Sequence, residues 1–500
     1  MLNVCARNLR CFRRDERGII LILFAVLIVP LMLIVGVVID FGQSLVVKRQ
    51  LTAAVDAAAL SVSAEPQLDE AEARQKAQDY LKAHYPDAAI GRLKSFTANR
   101  DGDIIDVSAT AELDTAFLRV AGYNTLVVTV NNRVVRKQSK LEVVMVLDNT
   151  GSMEGSKMAA LKTAANELVD TLFGDDDEPA YVKIGLVPFT NTVNVGSNHR
   201  GAAWLDEATP AALNTEHVIA DDGFASLFQI FDHWHLAWKG CVRSRAAPFD
   251  VTDATPDAAD RRTLFTPYFA PDEMQGGSNN YFRNTNDPQY KTYSFYKSKP
   301  APSASITSGP NYYCPNAIQD LTNVKSTITS AINAMVAAGP TVIPEGIAWG
   351  WRLISPGPPF TSGAPYTDRN TVKAVIVLTD GDNNVNPATN GAYKSIFSSY
   401  GFASNGHIGA PDGSQADDTL NEKTAQLCEN IKADKDGDAA DEDIIVYTIV
   451  FGVGVGSETE TMMRDCASDP SKYFSSPTAS DLQNAFESIA LGLSKLRVAM

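Results

Sequence analysis

Five oxygen-bearing side chains, in three separate stretches, have the types and spacing to hold a cation. The stretch LEVVMVLDNTGSM (141–153) ends a run of apolar residues in Asp148, with Thr150 and Ser152 at the next alternate positions. The stretch KAVIVLTDGDNN (373–384) ends a second apolar run in Asp380, followed by Gly381 and Asp382. Between them, AAGPTVIPEGIAWGW (337–351) carries Thr341 just ahead of Pro344. Carboxylates and hydroxyls are hard ligands. Mg²⁺ takes six oxygens in an octahedron and usually keeps some waters. Hydroxyls supply neutral ligands, while a carboxylate holds a coordinated water and offsets charge.

The elements that must position these groups follow from local pattern. Val143–Leu147 and Lys373–Leu378 read as buried parallel strands, because they are continuously apolar rather than alternating. A helix begins near Lys157, and another can begin at Pro344, where a missing N–H costs nothing. Three oxygens at the carboxyl end of a strand then fold back over a helix amino terminus. The order strand–DxTxS, GxT, strand–TDG resembles the von Willebrand factor A domain and its metal-ion-dependent adhesion site (MIDAS). That resemblance implies Asp148, Thr150, Ser152, Thr341 and Asp380 as site residues and Mg²⁺, Mn²⁺ or Ca²⁺ as the ion. In that family the hydroxyls bind metal directly and the aspartates often act through water. The first hydroxyl there is usually Ser; Thr150 keeps the oxygen. The fold expected is α/β, a doubly wound, mainly parallel, Rossmann-like sheet over residues 139–499. Lys157–Leu172 and Ile318–Ala338 read as helices, Tyr181–Val187 and Ile444–Val450 as strands, and Leu482–Leu496 as an amphipathic closing helix.

Two segments interrupt this pattern. Residues 191–317 hold 10 of the 25 prolines, which fragments regular structure, and 18 of the 42 aromatics, which a disordered linker would lack. An ordered, loop-rich insertion is expected there, and a smaller Gly/Asn/Ser-rich loop over 385–417. Both follow strand ends on the face where ligands of such sheets bind. Cys241 and Cys314 lie in the insertion, Cys428 and Cys466 in the last third. An oxidising surrounding favours Cys241–Cys314 and Cys428–Cys466, one of three pairings four cysteines allow, with free thiols as the alternative. Asp232-His233-Trp234-His235 reads as loop rather than a second metal pair. The acidic run Asp434–Asp443 fails the EF-hand template, with Ala439 and Ile445 where Gly and Glu are needed.

The amino terminus differs from the rest. Arg7, Arg10, Arg13, Arg14 and Arg17 face only Asp15 and Glu16, and no charge follows from Gly18 to Ile39. Twenty-two helical residues reach about 33 Å, enough for a hydrocarbon core of about 30 Å. The apolar run exceeds a signal-peptide core and has no small-x-small site after it. The arginines before it, against Lys48 and Arg49 after it, set the amino terminus in the cytoplasm and the bulk outside. A prepilin-type cleavage after Gly18 would want Glu where Leu23 stands. The division expected is 1–17 basic, 18–40 membrane span, 41–89 juxtamembrane helix, 90–138 a small β-containing module and 139–499 the α/β domain. Leu51, Val55, Ala58 and Val62 form a stripe suited to a partner helix, hence a homo-oligomer, or to the chain's own module. Ile105, Val107, Ala109, Ala111 and Leu113, then Leu126, Val128 and Val130, alternate as strands.

The chain has 500 residues, 43 Lys+Arg and 59 Asp+Glu, a formal charge of −16. That balance argues against a sequence-independent grip on nucleic acid. RRDERG before the span, then IDFGQ and RQLTAAVDAAALS, resemble the amino-terminal segment of TadE/TadG-like Flp pilus assembly proteins. Joined to a carboxyl-terminal A domain, and with VPFTNTVNVG, WKGCVRSR, IAWGWRLISP and CASDPSKYF following, the chain is similar to TadG-like members over most of its length, more loosely over 65–138. The resemblance implies an inner-membrane protein of Gram-negative bacteria, a periplasmic bulk, a role in tight-adherence pilus biogenesis, and pilus-assembly or other envelope proteins as partners. Two alternatives remain. One is an A-domain scaffold without metal. The other is an Mg-dependent phosphohydrolase, which would want a carboxylate where Thr150 stands. With no P-loop, GxSxG or HExxH, the expectation is no enzyme.

Overall fold

The structure, a computed structural model, describes residues 17–63, 68, 70–86, 90–101, 104–135, 139–206, 226–273, 279–282, 301–302, 305–385, 395–410, 415–433, 435 and 443–499. Its chain forms two compact units, residues 1–138 and 139–500.

The first unit opens with α1 (Arg17–Ser63), a single helix of 47 residues that takes Pro30 in its interior. It runs on past Asp40 because the next 23 residues are rich in Ala, Leu, Val and Gln and lack proline. Its first half is apolar and uncovered: Phe24, Val26, Leu31, Met32, Ile34 and Val38 are each more than 60 % exposed. The second half packs with α2 (Glu70–His84) on an antiparallel sheet of β1 (Arg92–Asp101), β2 (Ile104–Asp114) and β3 (Thr125–Val135). Leu51, Val55, Ala58 and Val62 are buried there against Ile105, Val107, Ala109 and Ala111. The stripe that suited a partner helix therefore serves the chain's own core, and it offers no free face for oligomerisation. Strand β1 escaped the sequence reading because its register shifts between Leu93 and Ser95, which breaks the period-two pattern.

The second unit runs β4 (Lys140–Asp148), α3 (Ser156–Phe173), β5 (Val182–Phe189), β6 (Val193–Asn194), α4 (Leu227–His233), β7 (Cys241–Val242), β8 (Gln319–Thr322), α5 (Lys325–Ala334), α6 (Ile343–Ile354), β9 (Thr371–Thr379), α7 (Ala416–Lys432), β10 (Ile445–Phe451), α8 (Glu458–Cys466), β11 (Tyr473–Ser476) and α9 (Ala479–Ala499). One sheet has the order β11-β10-β9-β4-β5-β6-β7, with β8 on β5. Its β11-β10-β9-β4-β5 stretch is parallel, and β6, β7 and β8 add antiparallel pairs. The helix expected over 318–338 thus begins only at Lys325. Before it, Gln319–Thr322 pairs with the β5 edge, and the Thr322 hydroxyl accepts the Val324 N–H.

The central strand shows how the sheet is covered. Leu141, Val143, Met145 and Leu147 pack into a core with Leu161 and Leu168 of α3, Ile328 and Ile332 of α5 and Phe486 and Ile489 of α9. Val144 and Val146 point the other way, into a core with Ile347 and Trp349 of α6 and Leu427 and Ile431 of α7. Phe228, Phe231 and Phe265, all within 191–317, fill the same side, so these aromatics of that segment are structural. Helix α6 lies close on the sheet: a Cβ added at Gly350 would stand 2.3 Å from Val146 Cγ2. Gly350→Val should therefore cost about 1–3 kcal/mol by overpacking. A thermal midpoint unchanged from wild type would contradict this packing.

Candidate metal centre

Strands β4 and β9 are neighbours in parallel register, Leu147 opposite Leu378, so their carboxyl ends emerge side by side. This pairing delivers Asp148 and the Thr379–Asp380 pair to one place. Asp148, Asn149 and Thr150 are fully buried. The Asp148 carboxylate accepts the Thr150 N–H at 2.8 Å through Oδ1 and the Thr379 hydroxyl at 2.8 Å through Oδ2. The Thr150 and Ser152 hydroxyls are 2.9 Å apart, and Ser152 Oγ donates to Asp380 Oδ1 at 2.5 Å. Lys157, in the first turn of α3, places Nζ 2.5 Å from Asp380 Oδ2. Four of the five anticipated residues thus form one hydrogen-bonded chain.

Thr341 enters from a different direction. The Gly151 N–H donates to the Gly339 carbonyl at 2.9 Å, which ties the β4 loop to the segment ahead of α6. Thr341 exchanges backbone hydrogen bonds with Asn384, at 3.3 and 2.9 Å. It shares with Ser152 the wall of an open cavity of about 630 Å³. Asp382, Asp417, Asp418 and Glu458 line the same cavity.

Burial, and then the charge of Asp380, push the Asp148 carboxyl up to about 6. The carboxyl of Asp417 is raised too, by burial and by Asp418 and Asp382. Two carboxylates and three hydroxyls, with Asp148 and Thr150 buried and Ser152 and Thr341 on the wall of the open cavity, are a donor set whose chemistry fits a hard cation. Among the described residues, no group of three or more His, Cys, Asp and Glu could hold a metal, so a soft or imidazole-rich site does not arise there. Two participants were absent from the sequence expectation. Thr379 stands in the TDG motif itself, and its signal is that a buried Asp148 needs a hydroxyl donor from the neighbouring strand end. Lys157 gives no signal beyond its distance of one helical turn from the loop.

The remaining candidates resolve structurally. Disulfides join Cys241 to Cys314 and Cys428 to Cys466, with Cα separations of 5.8 and 5.0 Å. Cys5 and Cys11 lie outside the described residues. Asp232 binds Arg200 in a fork at 2.9 and 2.7 Å, and Trp234 is buried against Phe269 and Phe282, so that stretch is packing. Of the acidic run, only Lys435 and Asp443 are described, and the Asp443 carboxylate accepts the Lys435 N–H.

Residues 18–67 match the family described as Flp pilus-assembly TadE/G-like (Tad). No curated protein matches the chain by sequence. Similar solved structures include the vWF domain of the type V pili tip protein Mfa5 from Porphyromonas gingivalis, 10 % identical, covering 73 % of this chain and 97 % of that one at a TM-score of 0.32. The pilus adhesin SpaC from Lactobacillus rhamnosus GG is 10 % identical at a TM-score of 0.33; the match covers 82 % of this chain but only 35 % of SpaC. The PilB minor pilin from Streptococcus sanguinis is 13 % identical, with 81 % and 79 % covered and a TM-score of 0.32.

The Thr379–Asp148 contact gives a test that needs no metal. Thr379→Val keeps the side-chain volume but leaves a buried carboxylate oxygen without its donor, at a cost of about 1–3 kcal/mol. Urea unfolding in chelator should show that loss, and an unchanged midpoint would remove Thr379 from the site.

Proposed function

We propose that this chain is a membrane-anchored protein of Flp (tight adherence) pilus biogenesis, whose second unit is a von Willebrand factor A-type domain with a metal-ion-dependent adhesion site. Asp148, Thr150, Ser152, Thr341 and Asp380 would hold Mg²⁺, or Mn²⁺ or Ca²⁺ in its place. The ion supplies an electrophilic position for a carboxylate of a protein partner; pilus-assembly or other envelope proteins are the class of partner. The observation that carries the reading is the hydrogen-bonded chain from Asp148 to Asp380 across two adjacent parallel strand ends. Helices on both faces of the sheet support the doubly wound A-type assignment, and the TadE/G-like segment supports the pilus role. Five arginines ahead of the apolar span support a cytoplasmic amino terminus, an inner-membrane location and a periplasmic bulk. Two residues after Asp148 stands Thr150 rather than a second carboxylate, which disfavours phosphoryl transfer and supports a binding role without catalysis.

A second reading, a scaffold that needs no metal, has one specific observation behind it. The Lys157 ammonium already supplies a positive charge to Asp380. Its side chain is 35 % exposed while that of Asp380 is fully buried, so the lysine can swing into solvent and yield its place. The two readings differ in how Lys157→Gln behaves. If metal binds, Mg²⁺ or Mn²⁺ raises the thermal midpoint of wild type, and free ion at a hundredfold its dissociation constant is worth about 2.7 kcal/mol. Asp148→Ala should abolish that rise, and Lys157→Gln should enlarge it while lowering the midpoint in chelator. No rise at millimolar ion for wild type or for Lys157→Gln would leave only the scaffold. Capture of an envelope partner that survives chelator would point the same way.

A further inference from the structure

In the first unit, the connection between β2 and β3 makes a tight 3₁₀ turn over Leu118–Ala121, and its side chains face outward. Val120 is 74 % exposed, Tyr123 65 % and Phe117 41 %. Single exposed apolar residues need no explanation, but three within seven residues on one turn form a patch. The turn is fastened to α1 at a definite height. Asp40, fully buried, accepts the N–H groups of Ala116, Phe117 and Leu118 at 3.1, 2.9 and 2.7 Å. Phe117 lies directly on the helix backbone, since a Cβ added at Gly36 would stand 2.4 Å from Phe117 Cβ. Gly36 is inside the uncharged run, three residues before it ends at Ile39, or about 4.5 Å along the axis.

We propose that this turn is a second membrane contact, seating Phe117, Val120 and Tyr123 in the headgroup–acyl boundary of the bilayer that α1 crosses. The inference rests on the reading that residues 18–39 span a membrane. If they do, Phe117 must sit just within the hydrocarbon edge, because it touches a residue of the span. An interfacial segment buries its apolar face about 5–10 Å deep, and the contact at Gly36, about 4.5 Å inside the run's end, lies close to the shallow end of that range. The turn's backbone suits that medium, where an unpaired N–H is costly. The N–H groups of residues 115–118, 120, 122 and 123 all have protein acceptors. Tyr123 has an apolar ring and a polar tip, the chemistry of interfacial belts. Exposed Arg119, on the same turn, can reach lipid phosphate. The carboxylate of Asp40 closes the span without meeting lipid as a bare charge, because three donors cover it.

The test uses the full chain in phospholipid bilayers, with Cys5→Ser and Cys11→Ser so that one introduced cysteine carries an environment-sensitive fluorophore. Val120→Cys is the reporter, and its exposure means the label displaces no packing. Leu27→Cys reports on the span. Asn99→Cys is the control, on the β1 end that neighbours Val62 rather than Gly36. Lipids spin-labelled near the headgroup should quench most of the emission at 120 and none at 99, while lipids labelled deep in the acyl chain quench at 27. Quenching at 27 with none at 120 overturns the proposal and leaves the span standing. Blue-shifted emission at 120 without lipid quenching means that protein covers the turn, which also overturns it. No quenching at 27 sinks the span reading, and the proposal with it.

Discussion

Two carboxylates emerging from neighbouring strands of one parallel sheet repel each other, and much of the second unit is arranged around that repulsion. The register between β4 and β9 leaves no freedom: with Leu147 opposite Leu378, Asp148 and Asp380 must share one strand-end crevice. Burial sharpens the problem, because charge is least welcome where water is excluded. The chain answers with donors. Asp148 is met by a backbone N–H and a hydroxyl, Asp380 by a hydroxyl and an ammonium. One ammonium for two carboxylates leaves a negative balance at the site. The cavity beside it adds four more carboxylates, so the field over this face is negative too. A divalent ion would reverse the sign at the one point where strand ends converge.

The rest of the unit keeps that crevice rigid. Helix α6 begins two residues after Thr341 and is buried along its length, including Glu345 and Arg352. Glu345 accepts the Trp349 indole N–H at 2.8 Å, and burial raises its carboxyl. Arg352 reaches out of the helix to the carbonyls of Thr252 and Asp250, at 3.2 and 2.9 Å. Lys423 of α7 pairs with the Asp250 carboxylate at 2.6 Å. The loop-rich segment is thus held by charge and by its aromatics to the helix that presents Thr341. Buried ions of this kind lend little net stability, but removing one partner strands the other, which makes the arrangement specific.

Legibility in the sequence followed the length scale of each interaction. β4, β9 and β10 are continuous apolar runs, and such runs are local signals. Asp148, Thr150 and Ser152 announce themselves because they lie within five residues of one another. Asp380 is marked by the apolar run it ends, whereas Thr341 is marked only by the order of the three motifs. Lys157 depends on a contact between a helix start and the neighbouring strand end that no local pattern records. β1 was hidden by its bulge, β8 by its brevity and its place ahead of a true helix. The stripe on α1 shows a limit of periodicity: Leu51, Val55, Ala58 and Val62 announce a buried face but not what buries it.

That stripe also constrains how the first unit is held together. α1 is apolar and uncovered in its first half, then packs on a three-stranded sheet in its second, with no break between. A helix continuous from its apolar half to the module cannot swivel between the two as a flexible linker would. Any tilt of the apolar half is passed to the sheet through buried side chains, and packed interiors transmit such strain. Asp40 stands where the two halves meet, and its three backbone bonds fasten the β2–β3 turn to the helix there. Removing that carboxylate would free the turn while leaving the helical core below it intact. The first unit therefore acts as a rigid collar on its helix, and the orientation of its sheet is set by α1 rather than by the loops around it.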